Sequence, residues 1–265
     1  MLRIGFVCPT YNAVELDRYT RRALVSFFDT TPYGVAIVVD DASPGWTKNY
    51  AHSLQTIVAD YPGSELHIIR FDHPGGLTRS WNAGLELADK LDLTYAISGN
   101  NDVSFTSQWY SGMVHALAHG YDLVGPLSNA PGVTAQGLQE VARYCENYHR
   151  TDNQAQLNQM AATLYQKYLG QVVESPVNGF VHMATLASWR RGKDDDTHYY
   201  CPYNAVRPSG KTNPTPLLTG NEDELQYRWR RQGMQSAIVL GSFIFHYRAV
   251  SRGDAYKRGD WYRQP

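Results

Sequence analysis

From Arg3 to Pro126, short apolar runs alternate with segments of helical period, and that alternation admits few folds. "RIGFVCP" is a continuous apolar run bounded by Pro9, as in a strand buried on both faces. Leu16, Tyr19, Ala23, Leu24, Phe27 and Phe28 then recur at helical spacing until Pro32-Tyr33-Gly34 ends the helix. "VAIVVDD", "ELHIIRF", "LTYAISGNND" and "YDLVGP" read as further strands. Helices fall between them: "NYAHSLQTIVADYPG", a segment capped by Thr78 with Trp81, Leu85 and Ala88 inward, and "SQWYSGMVHALAHG". Strict alternation predicts an α/β fold, a mostly parallel sheet with helices on both faces. In such sheets ligands sit outside the carboxyl ends of the strands.

Three of those ends carry polar clusters: Thr10-Tyr11-Asn12, Asp40-Asp41 and Asn100-Asn101-Asp102. One polar strand end is usually a turn, but three on one rim point to a site. A carboxylate ending a buried strand, as Asp102 does, needs a donor, a cation or a metal beside it.

The second half departs from the alternation. Residues 134–170 are helical in pattern, and 189–219 form a polar stretch with four prolines and "KDDD". Both are expected to be insertions covering the rim, the second a lid, a binding loop or a plain surface loop. "NEDELQYRWRRQG" is a helix with Asn221 as N-cap and Glu222, Asp223 and Glu224 in its first turn, where the helix dipole favours negative charge. The strand "SAIVLGSFIFHY" follows, ending on His246, with Arg248, Ser251 and Arg252 beyond it.

The whole chain of 265 residues has a net charge of −1, yet from Arg228 onward it holds 8 Lys and Arg against 2 acids. A basic end of this kind suits an anionic ligand or is a solvated tail. Cys8, Cys145 and Cys201 are odd in number and lack metal-ligand spacing, which suggests free thiols in a reducing, cytoplasmic setting. No apolar run is long enough to span a membrane.

Taken in order, the motifs resemble those of the family 2 glycosyltransferases, which have the GT-A (Rossmann-like) fold. "CPTYN" resembles the family's first strand end, "VVDDAS" its nucleotide-binding segment, and "GGLTRSWNAG" its N-x-G segment. "GNND" stands where the family has D-x-D, "NEDELQYRWRRQG" resembles its E-D helix, and "FIFHYRAVSRG" its H…S ending. The resemblance implies one domain over residues 1–265, with a nucleotide-sugar half (1–132) and an acceptor half (133–265). It implies a nucleoside-diphosphate sugar donor, UDP or dTDP favoured, held by Pro9, Thr10, Tyr11, Asn12, Asp40, Asp41, Arg79, Asn100, Asn101, Arg248, Ser251 and Arg252. It implies Mn2+ or Mg2+ on Asp102 and His246, Asp223 as general base and Glu222 beside it, and inversion at the sugar. Asn100 departs from the pattern by replacing the first aspartate of D-x-D.

Other readings of the same alternation lack their signatures. A dinucleotide-binding oxidoreductase needs G-x-G-x-x-G after the first strand, and a P-loop needs G-K-[ST]; neither is present. A non-catalytic relic of the fold is the rival that Asn100 supports. The acceptor is expected to be a saccharide. Arg190, Arg191, Lys193, Tyr199, Tyr200 and Tyr203 also suit stacking on nucleic-acid bases, which makes a hydroxylated base in DNA the alternative, while buried tyrosines under a surface loop are the plain reading.

Overall fold

The structure is a computed structural model that describes residues 2–11, 13–131, 133–138, 141, 153–194, 197–201 and 221–247. Strands β1 (Ile4–Thr10), β2 (Val35–Asp40), β3 (Glu65–Arg70) and β4 (Tyr95–Gly99) run parallel, in the spatial order β3-β2-β1-β4. Beyond β4 the sheet continues through β8 (Val181–Thr185), β6 (Leu123–Leu127), β9 (Ser236–His246) and β5 (Val103–Phe105). β7 (Val172–Glu174) also pairs with β9. β8 is antiparallel to both of its neighbours, so the sheet is mixed on this side. Three strands escape the sequence pattern. β5 and β7 have three residues each, too few to show a period, and β8 lies within "GFVHMATLASW", where a strand runs straight into a helix.

The helices cover both faces. α1 (Asp17–Thr30), α2 (Lys48–Gln55) and α4 (Trp109–Ala118) pack on one side, where Phe6, Cys8, Phe27, Phe105 and Trp109 share a core. On the other side Val7, Val39, Trp81 and Leu85 share a core with residues of α5 (Gln154–Tyr168), α6 (Leu186–Arg191) and α7 (Asn221–Arg231). Trp81 and Leu85 belong to α3 (Leu77–Lys90), whose N-cap is Gly76 rather than Thr78. Every residue of β1 is buried, as the unbroken apolar run requires, and the strand continues through Pro9 to Thr10. Gly84 in "WNAG" has a packing role: a Cβ there would lie 2.2 Å from Cγ1 of Val7, so only glycine lets α3 sit this close to β1.

The polar stretch after Trp189 is in part core. Trp189, Tyr199 and Tyr200 are all at most 1% exposed. Tyr200 stacks on Trp81 and joins a buried polar column. Ser98 Oγ lies 2.5 Å from Tyr200 Oη, His182 Nδ1 lies 2.9 Å from the same hydroxyl, and His182 Nε2 lies 3.2 Å from the Val177 carbonyl. Burial lowers the His182 pKa to about 4, so the ring is neutral. Its Nε2–H donates to Val177, its Nδ1 accepts from Tyr200, and Tyr200 accepts from Ser98.

This column makes stability depend on pH. The folded His182 binds its proton more weakly than the unfolded one, so stability is complete above the unfolded value near 6.5 and falls as pH drops toward 4. The full loss is about 3 kcal/mol. Urea unfolding between pH 7 and 5 should show the decline in the wild type and a flatter profile in His182→Gln.

Candidate active site

Three strand ends meet in register at the carboxyl rim: Thr10 pairs with Asp40, and Asp40 with Arg70. Asp40 is fully buried. It accepts from the Thr10 hydroxyl at 3.3 Å and from the Ser43 amide at 3.1 Å, and it pairs with Arg70. Burial pushes its carboxyl above the usual range, while Ser43, Arg70 and Thr10 pull it back. The Arg70 guanidinium also lies over the ring of Trp46. Neither residue stood out in the sequence, where Arg70 read only as a strand residue.

Asp41 holds the entry to α3. It accepts from the amides of Gly75 at 2.9 Å and Gly76 at 2.8 Å, and from Arg79 Nη2 at 2.5 Å. Arg79 also donates to the His73 carbonyl and lies over the Phe71 ring. Pro9 is buried within β1, and Tyr11 is half-buried just beyond it.

The second cluster forms where β9 returns beside β5. His246 opposes Val103, and the Tyr247 amide donates to the Asp102 carbonyl at 2.9 Å. This brings His246 Nε2 to 3.2 Å from Asp102 Oδ1, both residues being buried. Asn100 Nδ2 lies 3.4 Å from the same nitrogen. The imidazole stacks on Phe180, with centroids 5.1 Å apart and planes 14° apart, and its Nδ1 has no partner among the described residues. Asn129 clasps the strand end: its amide donates to the His246 carbonyl at 3.0 Å, and its oxygen accepts from the His246 amide at 2.7 Å. Asn101 turns the other way and donates to Thr20 of α1 at 3.1 Å.

Asp102 and His246 fit a hard cation. Two ligands at right angles, each about 2.1 Å from one ion, are about 3 Å apart, close to the spacing found here. No group of three His, Cys, Asp or Glu able to hold a metal occurs among the described residues.

α7 faces this cluster through the chain segment before β8. Gln226 grips Val177 on both sides, its Oε1 accepting from the amide at 2.6 Å and its Nε2 donating to the carbonyl at 2.8 Å. Glu222 packs against Gly179, whose neighbour Phe180 accepts from the Asn100 amide at 2.9 Å. Asp223 is exposed, and Glu224 is buried and paired with Arg228 at 2.8 Å. Asn221, 1% exposed, donates to Thr78 Oγ1 at 2.7 Å. One helical turn further along α3, Asn82 bonds the backbone of Tyr200 in both directions, at 2.8 Å each.

The described part of the proposed stacking surface is not one. Tyr199 and Tyr200 are core residues, Arg190 pairs with Asp89, Arg191 with Asp122, and Lys193 lies over the Tyr199 ring. The cations and aromatics that alternate in sequence thus serve packing and local ion pairs. Tyr203, Asn12, Arg248, Ser251 and Arg252 lie outside the described residues. Sequence reading missed Asn129 and Phe180: Asn129 has no motif around it, and Phe180 precedes a strand that showed no period.

The parallel β-α half, the antiparallel continuation and the polar carboxyl rim define a GT-A fold, and solved structures agree. A crystal structure of S. aureus TarS 1–349 matches with a TM-score of 0.55 at 14% identity, over 97% of this chain and 63% of that one. TarS 1–349 in complex with UDP-GlcNAc matches with a TM-score of 0.51 at 15% identity, over 92% and 58%. The mannosyltransferase PcManGT from Pyrobaculum calidifontis, in complex with GDP-Man and Mn2+, matches with a TM-score of 0.57 at 12% identity, over 97% and 59%. The chain therefore spans about three-fifths of those proteins' length, and at such identities the likeness is one of fold. No curated protein matches it in sequence. Residues 6–162 match the glycosyl transferase family 2 profile, and the chain belongs to that family.

The clasp on His246 has a measurable worth. Asn129→Ala leaves a buried amide and carbonyl without partners, and urea unfolding should show a loss of about 1–3 kcal/mol.

Proposed function

We propose that the chain transfers a sugar from a nucleoside-diphosphate sugar, UDP or dTDP favoured, to a saccharide hydroxyl, with inversion and with Mn2+ or Mg2+. The observation that carries this reading is the approach of His246 to Asp102 at the rim, 3.2 Å apart, in a family 2 chain. Relatives in fold were solved with UDP, with UDP-GlcNAc, and with GDP-Man and Mn2+, which supports a nucleotide-sugar donor and a cation. In this reading residues 1–132 bind the donor and 133–265 the acceptor, in a cytoplasmic enzyme. No described helix is long and apolar enough to cross a membrane.

Each residue then has a task. Thr10, Tyr11, Asp40, Asp41 and Arg79 build the nucleoside and diphosphate side of the rim. Asp102 and His246 are the residues that would hold the cation. A bound Mg2+ or Mn2+ would offset the charge that develops on the leaving diphosphate. Asn100, beside His246 Nε2, keeps hydrogen-bonding capacity where the family has an aspartate. Asp223, exposed in the first turn of α7, accepts the proton of the acceptor hydroxyl. Glu222, held over Gly179, orients the acceptor beside it.

Two experiments test this. Asp102→Ala should abolish Mn2+-dependent release of diphosphate from a UDP-sugar, and EDTA should do the same to the wild type. Full turnover of Asp102→Ala in metal-free buffer would sink the metal assignment. Asp223→Asn should keep donor affinity by calorimetry and lose turnover by on the order of 10²-fold or more. Normal turnover of Asp223→Asn together with a dead Glu222→Gln would move the base to Glu222.

A further inference from the structure

His115 and His119 stand one turn apart at the end of α4, on its solvent side. Residues at this spacing share one face of a helix, with Cβ atoms about 5–6 Å apart. Here the two imidazoles touch: their centroids are 4.0 Å apart and their planes 41° apart. Both residues are exposed, so no surrounding core imposes the contact.

The backbone sets the protonation of one ring. His119 Nδ1 lies 2.8 Å from the His115 carbonyl oxygen. A carbonyl only accepts, so Nδ1 carries the proton, and the neutral ring keeps its lone pair on Nε2. Metal-ligating imidazoles are commonly held this way, with the second ring N–H on a carbonyl that fixes tautomer and orientation. The His115 ring has no hydrogen-bond partner among the described residues, so its nitrogens are open to a ligand. The partial negative charge at a helix C-terminus favours a cation at the same place.

We propose that His115 and His119 bind one divalent ion of the imidazole-seeking kind, Zn2+, Ni2+ or Cu2+, across the last turn of α4. Hard Mg2+ prefers oxygen, so the pair selects against the ion suited to Asp102. Two protein ligands facing solvent make an exchangeable site, unlike the closed four-ligand sites of structural zinc. The sheet keeps it apart from the rim. α4 leads into β6, whose first residue Leu123 pairs with Ser236 at the start of β9, while His246 ends that strand. The 11 residues of β9 put the two places on the order of 30 Å apart.

The test is calorimetry of Ni2+ with the full chain, in buffer containing excess Mg2+. The wild type should bind, and His115→Ala and His119→Ala should each weaken binding by on the order of tenfold or more. Both side chains are exposed, so their removal leaves the core intact. Unchanged affinity in either variant overturns the proposal, as does wild-type protein that takes up no Ni2+. Asp102→Ala should bind Ni2+ as the wild type does. Loss of binding there, with retention in His115→Ala, places the ion at the rim and overturns the proposal. Electron paramagnetic resonance of bound Cu2+ should show couplings from two imidazoles in the wild type and from one in His115→Ala; one pattern for both overturns the chelate. Nitrogen-15 NMR of the metal-free protein, with the imidazoles neutral, should place the His119 proton on Nδ1, and a proton on Nε2 removes the preset ligand on which the site depends.

Discussion

A buried carboxylate needs a partner, and in this chain the partner of Asp102 is brought from more than a hundred residues away. The arrangement depends on β9 running antiparallel to β5, with Val103 opposite His246. That one register places the imidazole against the carboxylate, the Tyr247 amide on the Asp102 carbonyl, and Asn129 within reach of both backbone groups of His246. Side chains alternate along a strand, so a slip of one residue would turn His246 to the other face and strand the Asp102 charge. The mixed half of the sheet is thus what completes a rim that the parallel half only begins.

The parallel half was legible because its physics is local. β1 and β2 are buried on both faces and read as unbroken apolar runs, and α1 shows its inner stripe directly. The polar strand ends fell on one rim as expected, since parallel strands must point their carboxyl ends the same way. β8 was not legible. It is a central strand only because β4 and β6 flank it, and nothing in "VHMAT" shows that it has neighbours on both sides.

The site was legible by residue type more than by role. Asp102 and His246 lie side by side, whereas Asn101 is spent on tying the chain after β4 to α1 through Thr20. Asp40 ends β2 and Asp41 follows it, yet each is consumed by local donors, and the arginines they hold come from β3 and α3. An aspartate at a strand end looks the same in sequence whether it faces a ligand or an amide. Tyr199 and Tyr200 illustrate the converse. Tyrosines among cations suggest a surface until Asn82, Ser98 and His182 are seen to satisfy the second of them inside the core.

Thr78 and Asn82 lie one turn apart on the same face of α3. Asn82 secures Tyr200, and Thr78 secures Asn221. Tyr200 and Asn221 are therefore moored to neighbouring turns of a single helix, itself fixed on β1 by Gly84. Side chains so placed are about 5–6 Å apart. Tyr200 and the first residue of α7 are thereby tied to one helix, so a shift of α3 along β1 would carry the acid-bearing turn with it.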